Sequence, residues 1–167
     1  YTWSRATVVG ITEAGVVGQT SDPIVETLTN TTLSPINVTY AITPTGPAPT
    51  NCPGTPFNLT VTVNPTPNVS ANNLSPIICH NSATNIALST TVTGATVTYS
   101  WTAALQSGAA SGFSGGSGSA IAQTLTNTST VPATVRYTIT PAIGSCTGSA
   151  ITVDVVVNPR SQVNDPA

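Results

Sequence analysis

One unit of roughly 95 residues occurs twice in this chain, and that repetition limits its folding options more than any other feature. YTWSRA at 1–6 returns as YSWTAA at 99–104, and TLTNTT at 27–32 returns as TLTNTS at 124–129. VTYAITPT at 38–45 returns as VRYTITPA at 135–142, and NCPGTPFNLTVTVNP at 51–65 returns as SCTGSAITVDVVVNP at 145–159. The offsets are 98, 97, 97 and 94 residues, so small length changes fall between the landmarks, where loops absorb them. A period this long exceeds that of a solenoid repeat and suits one β-sandwich domain per unit.

The expected organisation is all-β. Residues 66–159 form a complete sandwich, 1–65 the later two-thirds of another, and 160–167 a linker or the start of a further unit. Residues 67–96 have no counterpart ahead of Tyr1, so the sequence reads as a window on a longer tandem array whose first unit is truncated at its N-terminus.

The residue alphabet agrees. Thr, Ser, Asn, Val, Pro and Gly dominate, which favours strands joined by turns. Val135, Tyr137 and Ile139 alternate with Arg136, Thr138 and Thr140, the pattern of a half-buried strand, and Val38, Tyr40 and Ile42 repeat it. In the last strand, Ile151, Val153, Val155 and Val157 form the apolar face, with Leu59, Val61 and Val63 as their partners in the first unit. Further strands are expected near 68–74, 85–90, 96–104 and 121–126. Asn64-Pro65 and Asn158-Pro159 end the last strand of each unit, because proline removes a ladder donor. The Gly/Ser-dense stretch QSGAASGFSGGSGSA at 106–120 reads as a projecting loop, and VVGITEAGVVGQTSDP at 8–23 occupies the same place in the first unit.

Charge is scarce: Lys+Arg is 3 and Asp+Glu is 5. No basic footprint for nucleic acid or an anionic membrane exists, and no apolar run is long enough to span a bilayer. Catalysis lacks its materials as well. The acids Glu13, Asp22, Glu26, Asp154 and Asp165 have no acidic counterparts in the other unit, and His80 is the single imidazole. Asp22 with Glu26 is the best available start for a calcium site, though too few oxygen ligands accompany it for a metal or other cofactor to be expected.

Three cysteines leave an odd count. Cys79 precedes the early strands of the second unit and Cys146 its last strand, so a Cys79–Cys146 staple is expected, stabilising by about 4 kcal/mol. Cys52 matches Cys146, and its partner would lie outside the window. Such pairing implies an oxidising, extracytoplasmic setting. The alternative is three reduced cysteines. Asn-x-Ser/Thr triplets at Asn30, Asn37, Asn58, Asn68, Asn73 and Asn127 arise by chance in a chain this rich in Asn and Thr. Trp3 and Trp101, with Tyr40 and Tyr137, are core aromatics if their strand face is inward. If it is outward, the indoles would be sugar-stacking platforms.

The order ICHNSATNIALS, TYSWTAA, TLTNTS, VRYTITP, GSCTGSAITVDVVVNP resembles the PKD-like repeats of very large Bacteroidetes surface proteins, such as the flavobacterial gliding-motility adhesins. That resemblance implies tandem Ig-like/PKD-like sandwiches, exported by the type IX secretion system and held at the outer membrane through other parts of the protein. It implies a non-catalytic stalk or spacer of an adhesin for surface attachment and gliding. Partners would be neighbouring repeats, surface polysaccharide or other cell-surface proteins. The acidic, glycine-containing turn that follows YxW in ordinary PKD domains is missing: SRATV follows Trp3 and TAALQ follows Trp101. A carbohydrate-binding module, the accessory stalk of a secreted hydrolase, and a filament subunit completed by a neighbour's strand are the rival readings.

Overall fold

The computed structural model describes residues 1–161; most of the segment expected to begin a further unit, 162–167, lies outside the described residues. The chain divides into two compact units, Tyr1–Thr66 with Val92–Ala95, and Pro67–Thr91 with the chain from Thr96 onward.

The first unit is one four-stranded sheet. Its strands are β1 (Thr2–Arg5), β2 (Val16–Gln19), β3 (Ile36–Thr43) and β4 (Phe57–Val63). Their order is β2-β1-β3-β4, with every pair antiparallel. Alternation along β3 buries Val38, Tyr40 and Ile42 on one face, where Trp3 and Ile11 join them.

The second unit holds β5 (Ser70–Asn73), β6 (Ile77–Ile78), β7 (Ser82–Ala83), β8 (Ile86–Ser89), β9 (Thr98–Ser107) and β10 (Ala110–Ser111). It continues with β11 (Gly116–Ser117), β12 (Ala120–Ile121), β13 (Thr124–Asn127), β14 (Ala133–Ile143), β15 (Cys146–Thr147) and β16 (Ile151–Val157). One sheet runs β11-β9-β14-β16-β6, with β15 attached to β14. A second, β12-β8-β5, and a small ladder β10-β13-β7 complete the unit. Ile86, Leu88, Ile121 and Leu125 pack with Trp101, Val135, Tyr137, Ile139, Val155 and Val157 in one core. This is a sandwich: two sheets bury the inner, period-two faces of their strands.

Three sequence expectations need correction. First, Cys79 and Cys146 do not pair, and Cys52, Cys79 and Cys146 are all free, exposed thiols. Cys79 follows β6, whose Ile78 lies beside Val157, and Val157 faces Ala133 at the start of β14. Cys146 faces Ile143 at the other end of β14. At a strand rise of about 3.3 Å per residue, the two ends of β14 stand roughly 30 Å apart. A disulfide needs Cα atoms within about 7 Å. Chain order placed Cys79 before the early strands and Cys146 before the last one, but did not reveal that they sit at opposite ends of β14. The oxidising setting inferred from the pairing loses its basis.

Second, the Gly/Ser-rich stretch 106–120 is not simply a projecting loop. It carries β10, β11 and the first residue of β12, and Phe113 packs against the core. Third, the apolar face of β4 is exposed at Phe57, Leu59 and Val61. β4 is an edge strand, and among the described residues no second sheet covers it as β12-β8-β5 covers the second unit.

Candidate functional site

The residues that the two units share converge on a few interior positions. Trp3 lies opposite Ile42 on β3, and Trp101 lies opposite Ile139 on β14. Both indoles are buried, at 4% and 8% exposure. Trp3 donates from Nε1 to the carbonyl and hydroxyl of Ser21, each at 3.3 Å, and its ring tilts against Tyr40 at 5.7 Å. Trp101 is covered differently. Gly116 of β11 lies directly opposite it, and a Cβ there would come within 2.8 Å of the indole Cζ2. Glycine lets the strand backbone lie flat on the ring. The Trp101 Nε1 is the one buried side-chain polar atom without a partner among the described residues.

Two buried asparagines, one in each unit, do the same work. Asn30 donates from Nδ2 to the carbonyls of Ser34 and Val63, both at 2.8 Å, while its Oδ1 accepts from Thr32 N and Oγ1. Asn127 donates to Val131 and Val157, again at 2.8 Å, and accepts from Ser129 N and Oγ. Every hydrogen-bonding capacity of each amide is used. Each amide ties the turn before the long strand to the end of the last strand. The Asn-x-Thr and Asn-x-Ser triplets at these positions are therefore interior corners, with Thr32 and Ser129 as ligands of the amide. Sequence reasoning missed this role. The signal was present in the repetition of TLTN at both places.

The position before that motif anchors the intervening loop, by different chemistry in each unit. In the first, Arg5 is fully buried and pairs with Glu26, Nε to Oε2 at 2.8 Å and Nη2 to Oε1 at 3.1 Å. Its remaining donors reach the carbonyls of Ala6, Glu13 and Ala14. The Arg5 guanidinium holds the Glu26 carboxyl below the usual range. Glu13 is also lowered, chiefly by the backbone N–H of Thr29, which donates to it at 2.8 Å. In the second unit Gln123 accepts from the Tyr137 hydroxyl at 3.0 Å and from Ser114 N, and it donates to Ser114. Burial pushes the Tyr137 hydroxyl up to about 12.

The remaining candidates do not assemble into a reactive site. Glu26 is committed to Arg5, and Asp22 accepts from the Tyr1 hydroxyl at 3.0 Å. His80 donates from Nδ1 to the Asn127 carbonyl at 2.7 Å. Asp154 forms a two-point pair with Arg136 on the solvent face of β14 and β16, both bonds at 2.7 Å. No group of three His, Cys, Asp or Glu side chains that could hold a metal occurs among the described residues. One surface depression lies around Tyr99 and Ser117–Ser119 and another around Ser4, Arg5 and Val16, and neither is lined by a carboxylate or an imidazole. No described helix is long and apolar enough to cross a membrane.

No curated protein and no solved structure matches the chain. A family model described as PKD-like domain matches residues 1–67 and 76–161. With nearly the whole chain covered by two copies of one non-catalytic structural module, the protein belongs to the PKD-like domain family.

Proposed function

We propose that this chain is a spacer segment of a long adhesin on the bacterial cell surface, serving attachment and gliding, with its ligand-gripping parts elsewhere in the protein. One observation carries the reading: the landmark aromatics and asparagines that the two units share are interior, and among the described residues no exposed constellation of side chains recurs in both. The shared positions are the tryptophan, the core tyrosine, the buried asparagine and the alternating strand. A binding module repeated for its ligand would be expected to repeat an exposed constellation instead. Both indoles are buried, so the stacking platform required by a carbohydrate-binding module is not offered by Trp3 or Trp101. Placement outside the cell rests on the resemblance of the repeat landmarks to surface-protein repeats, and no longer on the cysteines.

The test replaces both units, in the full-length protein, with unrelated sandwich domains of equal length. Attachment and gliding should persist, and antibodies to the units should label intact wild-type cells. Loss of attachment with normal surface display would mean that these units touch the ligand themselves. Absence of labelling on intact cells would remove the surface reading.

A further inference from the structure

The chain holds no lysine and three arginines, Arg5, Arg136 and Arg160, so an endopeptidase that selects a cationic side chain has three bonds to choose from. Folding closes two of them. Arg5 is buried at 2% exposure, and its strand β1 is paired on both sides, with Val16 of β2 and Tyr40 of β3 opposite Arg5. Arg136 lies in β14 between Ala104 of β9 and Asp154 of β16, and its guanidinium is engaged by Asp154 at 2.7 Å. An endopeptidase takes its substrate as an added strand, through main-chain hydrogen bonds. Around Arg5 and Arg136 those main-chain groups are already committed to the sheet. Either cut requires the unit to open.

Arg160 stands apart. The last strand ends at Val157, and Asn158 N still bonds to the Ile78 carbonyl at 2.8 Å. Arg160 and Ser161 follow outside any strand, and both are exposed, the setting in which chains are nicked most readily. Pro159 has a fixed φ and biases Asn158 toward extended backbone, so 158–160 is drawn out in the form that a protease cleft accepts. The joint after the first unit has the opposite character. There Thr66 takes the place of Arg160 and Pro67 that of Ser161, and both Pro65 and Pro67 are buried. The Pro67 carbonyl packs so closely on Gly148 that a Cβ there would collide with it. Two joints that begin with the same Asn-Pro therefore differ: one is sealed and the other is open.

We propose that the Arg160–Ser161 bond is a processing site, at which an arginine-specific endopeptidase parts the two folded units from the chain that follows. An acidic pocket of the protease takes the guanidinium through paired, charge-assisted hydrogen bonds. Hydrolysis breaks the bond between the Arg160 carbonyl carbon and the Ser161 nitrogen. Water supplies the oxygen that completes the Arg160 carboxylate and the proton that the Ser161 amine takes up. Both units survive the cut, since every described strand and core residue lies before Arg160. The inference goes beyond the spacer reading, because it concerns how the units are released and not what they carry.

The test is digestion of the folded 167-residue chain by trypsin, read by intact mass. One cut is expected, giving 1–160 and 161–167, and Arg160→Gln should abolish it. The bonds after Arg5 and Arg136 wait on unit opening, so they should be cut at least about a thousandfold more slowly. Both should be cut readily once urea unfolds the chain. Comparable cutting at Arg136 in the folded chain, or survival of the Arg160 bond, would overturn the site. A second measurement labels the chain termini of the full-length protein recovered from its own cells and their medium. A new C-terminus at Arg160 and a new N-terminus at Ser161 are expected, and both should vanish in Arg160→Gln. Cutting at Arg160 in a protein never displayed on cells would remove the spacer reading alone. Surface display with the bond always intact would remove the processing site alone.

Discussion

Glu26 and Gln123 occupy the same place in their repeats, one residue before TLTN, yet they hold their loops by different physics. In the first unit a carboxylate neutralises a buried guanidinium, whose other donors collect three loop carbonyls. In the second, the position equivalent to Arg5 is Ala103, opposite Tyr137 as Arg5 is opposite Tyr40, and a neutral amide spans the gap to Ser114. The loops differ in composition because each must satisfy its own anchor: carbonyls gathered around a cation in one, a glycine-bearing strand laid over Trp101 in the other. The task is shared, to fasten an irregular segment to a core tyrosine. A buried ion pair does it with a large penalty for losing either partner, whereas an amide does it with a modest one.

The comparison is broken most severely by removing one charge. Glu26→Ala leaves Arg5 buried without its counter-ion and should cost the first unit about 3 kcal/mol. Gln123→Ala should cost the second only about 1 to 2 kcal/mol, the loss of neutral hydrogen bonds. Separate calorimetric transitions for the two units would check this, and equal losses would refute it. Next in size is a matched pair in the last strands. Val155 is 0% exposed, while Val61, its counterpart, is 42% exposed. Val155→Ala should therefore cost about 2 kcal/mol, and Val61→Ala less than about 0.5 kcal/mol, read from denaturant midpoints.

The smallest effect is a difference in acid sensitivity. Glu26 and Glu13 are both held below the usual carboxyl range in the folded first unit, by Arg5 and by the Thr29 N–H respectively. A depressed folded-state value contributes stability that is present above the unfolded-state value and is lost as pH falls through the folded one. In the second unit Asp154 is lowered by Arg136, but that pair is about two-fifths exposed and contributes little. Below about pH 4, the ordinary carboxyl range, the first unit should lose stability ahead of the second. Circular dichroism with unit-specific tryptophan fluorescence would follow the order, and Glu26→Gln should weaken the acid dependence.

Much of this was legible in the chain itself. The period-two alternation of 135–140 and 38–42 falls in β14 and β3, and Asn-Pro ends β4 and β16 where proline forbids another donor. Short elements were not legible. β6, β7, β10, β11, β12 and β15 have two residues each, too few to carry a period. The buried asparagines were hidden for another reason: Asn127 takes its partner from Val157, thirty residues away, while a triplet motif is read locally. The cysteine pairing failed because the order of strands along the chain does not say which end of the sandwich each cysteine meets.

The sequence by itself determined the class and the repetition, because strand alternation and turn residues are local properties written into every short window. Tertiary structure alone decided which polar groups are interior, how each loop is anchored, and that β6 lies parallel to the last strand. Those depend on pairs distant in the chain, whose contact is set by the closing of two sheets over one core. It also decided that the cysteines stay apart, since the length of β14 separates Cys79 and Cys146, which chain order had paired.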